Sequence, residues 1–253
     1  MTTTLRQPFA CRREFTAVLF AGIAAGLLTI SPPSSAQTAP SAVEAAAYKG
    51  LHAAAQTGDM AAVARLAASG ADLNAVDGNG RTPLHVATFA RQRGAIAALK
   101  KAGADLARLD KDRYDAVTIA SVADDEDTLR LLLSLGASAR LTTSRYDGTA
   151  LIAAAHLGHD GVVRQLVAAG APLDHVNNLH WTAAIEAVVL GDGGKRHQAS
   201  LRALVDAGAD TALADRQGTT PLQLARSRGY REMVKILEAG AVKPSSRPVV
   251  AAS

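Results

Sequence analysis

Residues 80–87 read Gly80-Arg81-Thr82-Pro83-Leu84-His85-Val86-Ala87, and altered copies of this octet recur along the chain. Its inner part aligns with Leu51-His52-Ala53-Ala54, Val117-Thr118-Ile119-Ala120, Leu151-Ile152-Ala153-Ala154, Ala184-Ile185-Glu186-Ala187 and Leu222-Gln223-Leu224-Ala225. A second marker keeps the same beat. Gly70, Gly103 and Gly136 lie 33 residues apart, each followed by Ala; Gly170-Ala171 comes 34 residues later and Gly208-Ala209 another 38. A fixed period in this range marks a solenoid, in which each unit buries its apolar face against the next. Six units occupy residues 44–241.

Each unit follows one physical script. A Thr-Pro pair (Thr82-Pro83, Thr220-Pro221) or a Thr-Ala pair (Thr149-Ala150, Thr182-Ala183) opens a short helix. Threonine's oxygen satisfies a free amide of the first turn, and proline fits there without losing a bond. A break near Gly158 or Gly229 ends that helix. The second helix has apolar residues at helical spacing, as in Val162, Val163, Leu166 and Val167, and stops at the Gly-Ala pair, where glycine adopts the left-handed cap. An Asp- and Asn-rich turn leads to the next unit.

DGNGRTPLHVA and DRQGTTPLQLA combine a loop Asp, a loop Gly and the Thr-Pro-Leu core at this period, and in this they resemble the ankyrin repeat. The resemblance covers residues 44–241. It implies an all-α solenoid of helix-turn-helix units with hairpin-like loops projecting at a right angle, curved so that loop tips and first helices form a concave face. It implies a protein-binding scaffold, with no enzyme activity and no cofactor. It further implies that Thr82, Pro83 and His85 are structural, hydrogen-bonding within and between units.

Outside the repeats, residues 1–14 carry Arg6, Arg12 and Arg13, residues 15–30 are apolar, and SPPSSAQ follows. This is the order of a cleavable export signal, with Ser34 and Ala36 at the small-residue positions before a cut at Ala36/Gln37. A retained membrane anchor is the rival, but the run is short for a bilayer and rich in Gly and Ala. Arg12-Arg13-Glu14-Phe15 resembles a twin-arginine signal in part; the general secretory route stays open. The expected location is periplasmic, with no stable membrane anchor after cleavage. Residues 37–43 read as a flexible leader and residues 242–253 as a disordered tail. Three of the 27 basic residues and one of the 23 acidic residues lie in the signal, leaving a mature net charge of +2. So even a balance gives no concentrated basic face for nucleic acid. Cys11, the only cysteine, leaves with the signal, so neither a disulfide nor a thiolate site remains. A monomer is expected.

Aromatic residues are scarce, 4% of the chain, and their placement is informative. Phe89, Tyr114, Tyr146 and Trp181 fall on loop tips or at the ends of first helices, and Arg81, Lys111, Arg145 and Arg216 share those loops. Rings and arginines anchor interfaces, so these residues, with His156 and His180, are the expected partner-binding set. The competing reading is that the rings only cover neighbouring loops. His175 and His180 flank one loop, but a five-residue gap without a fixed carboxylate is poor metal geometry, and no metal site is expected.

Departures from the repeat supply the remaining candidates. The third unit replaces Thr-Pro-Leu-His with Asp115-Ala116-Val117-Thr118, and Asp124-Asp125-Glu126-Asp127 stands where a glycine break belongs. These acids read as a solvated helix start, where the helix dipole favours negative charge. One residue is inserted between Gly136 and Leu151, and five more around residues 190–197. Glu186 stands at an apolar position just before that glycine-rich stretch. A buried carboxylate needs partners. Amides of residues 191–194, or Lys195, Arg196 or His197, are the expected ones. A ligand- or metal-dependent site built from Glu186, Asp192, Lys195 and His197 is the alternative.

Overall fold

Left-handed backbone recurs at fixed places in every full unit, and these places set the element boundaries of the computed structural model. The structure describes residue 37 and residues 39–241; the expected export signal at residues 1–36 and tail at residues 242–253 lie outside the described residues. A short helix α1 (Ala42–Ala47) precedes six helix pairs: α2 (Gly50–Thr57) and α3 (Met60–Ala68); α4 (Pro83–Phe89) and α5 (Arg93–Ala102); α6 (Ala116–Val122) and α7 (Glu126–Ser134); α8 (Ala150–Leu157) and α9 (Asp160–Ala168); α10 (Ala183–Val189) and α11 (Lys195–Asp206); α12 (Pro221–Ser227) and α13 (Arg231–Ala241). A two-stranded antiparallel hairpin, β1 (Thr142–Thr143) and β2 (Gly148–Thr149), links the third and fourth pairs.

Each first helix from α4 onward opens on a side-chain cap. Thr82, Thr149, Thr182 and Thr220 accept the amide three residues on, and Asp115 does the same for Thr118. Asp115 therefore replaces threonine without losing the cap, and its burial raises its carboxyl above the ordinary range. In α4 the cap is reciprocal: the Thr82 amide donates to His85 Nδ1 at 2.9 Å, and His85 Nε2–H donates to the Arg108 carbonyl at 3.0 Å. Gln223 takes the corresponding place in α12, its Oε1 accepting the Thr220 amide at 2.8 Å. Burial pushes the His85 imidazole down to about 4.

First helices stack on first helices and second helices on second helices, in two parallel rows. Leu84, Ile119, Leu151 and Ile185 fill the first row, and Ile96, Leu129, Leu132, Leu166, Leu201 and Leu204 the second, all buried. Each such side chain contributes about 1.5–3 kcal/mol by leaving water. Alanines occupy most of the remaining contacts, and among the described residues no aromatic ring is buried. Successive loops are joined by main-chain bonds: Lys111 N–H to the Asn79 carbonyl, Ser144 N–H to that of Arg113, and Asn178 N–H to that of Tyr146, at 2.9–3.0 Å.

Two expectations change at the first unit. Its leader becomes helical at Ala42, where Ser41 and Glu44 form a capping box. Arg81, expected to contact a partner, is 2% exposed: its guanidinium donates to Asp77 and Glu44, both at 2.7 Å. Tyr48 Oη–H also donates to Asp77, at 2.7 Å. Burial alone would raise Asp77, but bonds from Tyr48 and from the amide and guanidinium of Arg81 outweigh it and bring its carboxyl down to about 2. Arg81 thus pins α1 to the loop at residues 77–81, and Tyr48 joins through Asp77. Asp77 lies in the same loop, but Glu44 comes from α1, 37 residues earlier, and completes the enclosure of the guanidinium.

Of the acids of the third unit, Glu126 and Asp127 lie in the first turn of α7 as expected, and Asp125 departs from the expectation by being buried. Asp124, at φ +53°, takes the left-handed break that Gly58, Gly158 and Gly229 fill in other units and Arg91, at φ +55°, in the second. Asp125, 5% exposed, caps α7 through Thr128 and accepts from Arg93 at 2.9 Å. The loop tips have a similar site two residues before each cap, occupied by Gly80, Arg113, Asp147, His180 and Gly218, all at positive φ.

His85 carries a sign-definite pH dependence. Its folded value lies below the ordinary 6.5, so the unfolded chain takes up the proton first; stability is full above pH 6.5 and falls as the pH drops toward 4. His85→Gln, the side chain the sixth unit uses, is expected to remove on the order of 3 kcal/mol of that loss. Urea titrations at pH 7 and pH 4.5 check it; identical pH slopes for both proteins would place the dependence elsewhere. His180→Gly removes a side chain from left-handed backbone and is expected to raise stability by a few tenths to about 1 kcal/mol. A lower urea midpoint would show instead that the imidazole holds the loop.

Candidate functional site

The residue preceding each first-helix cap is, unit by unit, Arg81, Tyr114, Gly148, Trp181 and Thr219. Four of these carry a side chain over the junction between loop and helix, and Gly148 carries none. Gly148 does not need to be glycine for its backbone: a Cβ there would meet Ser144 Oγ at 3.5 Å and Ile152 Cγ2 at 3.9 Å, ordinary contacts. At this gap lies a pocket of about 200 Å³. Val122 from α6 and Ile152, Ala153 and Leu157 from α8 form its apolar walls. Tyr114 and Tyr146 flank it from adjacent loops, and Asn177, Glu186 and His156 form a polar end. Thr118, Thr143 and Thr149 complete the lining beside Gly148.

Glu186 is the charged group at that end, and its partners differ from those expected. It is 4% exposed on α10. Asn177 Nδ2–H donates to Oε1 at 3.0 Å, and His156 Nδ1 lies 3.1 Å from Oε2, its side chain 46% exposed. Neither the amides of residues 191–194 nor Lys195, Arg196 or His197 hold the carboxylate. The reason is direction: Glu186 points back toward the fourth unit, whereas the inserted segment leaves α10 at its far end. A signal for the true partner stood in the sequence. The loops of the second, third and sixth units begin with Asp77, Asp110 and Asp215, whose carboxylates each accept amides of their own turn. Asn177 does the same through Oδ1, accepting from Leu179 and Trp181, and keeps an amide donor over for Glu186.

The inserted segment is clamped by its neighbours. His197 Nε2 donates to the His156 carbonyl at 3.0 Å, and its Nδ1 lies 2.9 Å from Asp192 Oδ1. The Gly194 amide and then His197 lower the Asp192 carboxyl. Tyr230 Oη–H donates to the Gly191 carbonyl at 3.1 Å. A Cβ on Gly193 would fall 2.6 Å from the Tyr230 ring, so the loop has room only for glycine there. Lys195 is exposed at the start of α11. Of the four residues expected to form one site here, Asp192 and His197 meet each other, and Glu186 belongs to the pocket instead.

The contact set divides in the same way. Tyr114, half-buried and with its phenol raised by burial, Tyr146, 45% exposed, and His156 come together at the pocket. Phe89 at the end of α4 and Trp181 before α10 are half-buried outside it. Lys111 Nζ reaches the Gly78 carbonyl, Arg145 reaches Asp112, and Arg216 reaches the Asn178 carbonyl, all on exposed loops. Such exposed pairs are weak, on the order of 0–1 kcal/mol, and an incoming surface can displace them. His180 is exposed, while His175 is tied to the Asp147 carbonyl at 2.6 Å.

The comparisons with known proteins bear on what such a surface is for. The family model for ankyrin repeats (3 copies) matches residues 51–143 and 117–214. The ankyrin repeat protein YahD of Escherichia coli K12 is 36% identical over 185 residues, 73% of this chain and 92% of that protein. Among solved structures, an ankyrin repeat domain from Acinetobacter baumannii AYE is 42% identical with a TM-score of 0.71, covering 76% of this chain and 98% of that one. A chain from the complex of the predatory endopeptidase Bd0816 of Bdellovibrio bacteriovorus with the immunity protein Bd3460 is 25% identical, with a TM-score of 0.62 and coverages of 76% and 98%. In period, helix pairing and loop chemistry, and by sequence identity across most of its length, the chain belongs to the ankyrin repeat family.

Proposed function

We propose that this protein is an exported, non-enzymatic scaffold that captures a protein partner in the periplasm with its first-helix and loop-tip face. Ankyrin repeats generally mediate protein–protein interaction and are generally without catalysis. One similar structure comes from an assembly of an endopeptidase with an immunity protein, which is the kind of use proposed. The observation that carries the reading is the placement of the rings. No aromatic side chain is buried among the described residues, yet Tyr114 and Tyr146 meet at an open pocket on this face. Large rigid rings at a partly exposed junction gain most from burial by a second surface. Export rests on the order of arginines, apolar run and small residues over residues 1–36.

Capture by crosslinking in the native periplasm tests the scaffold. Replacing Tyr114, Tyr146 and Trp181 together by Ala is expected to weaken capture at least about thirtyfold, as expected for interface rings costing about 2 kcal/mol or more, with the far-UV circular dichroism unchanged. Equal capture by the folded triple variant would reject this face. For export, N-terminal sequencing of the periplasmic protein is expected to begin at Gln37. A start at Met1 in the membrane fraction would establish the anchored form.

A further inference from the structure

We infer that the pocket beside Gly148 receives one basic side chain, arginine or lysine, from the protein partner. The inference rests on the scaffold reading and adds the chemistry of its anchor. Arginine and lysine share a form, a flexible apolar stem carrying a cation, and bury the stem while the head seeks charge or water. The pocket has the matching order. Ile152, Ala153 and Leu157 line its apolar length, and Glu186 stands at its end. Two rings, Tyr114 and Tyr146, share the lining, and a cation over a ring face is attracted by the ring's quadrupole.

Charge decides between occupants. No lysine or arginine lines the pocket, so Glu186 has no full-time cation among the lining residues. An ionised carboxylate accepts at about four lone-pair positions, and here one neutral amide, Asn177, and one imidazole, His156, occupy two. Nearly half of His156 is in solvent, which lets it move aside or share the oxygen. An acidic side chain would meet Glu186 as a like charge, and a purely apolar one would leave the carboxylate further desolvated without a new donor. A volume of about 200 Å³ suits one long side chain and excludes a helix or strand.

The test uses the full chain and defined probes. N-acetyl-arginine amide, N-acetyl-lysine amide and N-acetyl-norleucine amide are titrated while the Ile152 methyl and the Tyr146 ring are followed by NMR. At least one basic probe is expected to give saturable shifts at both groups, at least about tenfold tighter than norleucine, the margin of one charge-assisted hydrogen bond. Glu186→Gln, which keeps an acceptor for Asn177, is expected to lose that margin. Gly148→Tyr, the residue the third unit carries at this place, is expected to abolish the shifts with Glu186 untouched, and covers the case of a Gln variant that fails to fold. Equal response to norleucine, no response to either basic probe, or basic-probe binding unaffected by the folded variants overturns the proposal. Tighter binding of spermidine than of the capped amides assigns the pocket to a free polyamine and overturns it too. Partner capture lost in the Tyr114, Tyr146 and Trp181 variant, with no response to the basic probes, refutes the anchor chemistry alone and leaves the scaffold standing.

Discussion

No unit of this chain can enclose its own apolar surface. Its helices are two or three turns long, and a pair of them exposes an apolar flank on each side that must be given to a neighbour. The rest of the structure follows from that dependence. Contacts between first helices combine one large aliphatic side chain per unit, such as Leu84, Ile119, Leu151 and Ile185, with alanines that let the short helices approach closely, and no Phe, Tyr or Trp ring is buried between them. The irregular turns between units carry main-chain carbonyls that no helix satisfies. Histidines add donors across the units: His52, His85, His159, His175 and His197 each reach a carbonyl of another turn or helix end, at 2.6–3.0 Å.

Where the sequence departs from the repeat, the same dependence shows up as polar repair. Arg81, Asp125 and Glu186 are charged groups at buried positions, and each finds a partner in another unit or in the leading helix. Removing an ion from water costs several kcal/mol unless it is paired and hydrogen-bonded, so these departures are tolerated only in company. The pairs are accordingly reciprocal: Arg81 comes with Glu44, Asp125 with Arg93, and Glu186 with Asn177 and His156.

The period, the helix starts at threonine, the glycine ends and the six helix pairs were legible because each depends on residues within a turn or two of one another. The leading helix at Ala42 is also local, in the Ser41 and Glu44 box, but it straddles the start of the first unit and has no counterpart in the other units to reveal it. Arg81 was misread because its burial depends on Glu44, 37 positions away, which no pattern within the unit reveals. Glu186 was rightly singled out as a buried acid, but proximity in sequence pointed to the inserted loop when its partners sit in a preceding loop and a preceding unit. Tyr114, Tyr146 and His156 belong to one expected contact set; that they share a pocket follows from stacking geometry. The pocket itself had the faintest trace, since a missing side chain at Gly148 leaves no mark until the units are superposed.

That missing side chain has a consequence for how this architecture changes over time. Caps and loop backbone recur from unit to unit, so what sets the cleft apart is the side chains three successive units bring to it, Tyr114, Ile152 and Glu186 among them, with none at Gly148. A glycine at position 114 would remove a wall of this cleft, and one at position 181 would face Leu224 where the cleft has Glu186. A second cleft of the same chemistry therefore needs two coordinated changes, a lost side chain before one cap and a carboxylate on the next first helix, while the stacking of the helices stays as it is.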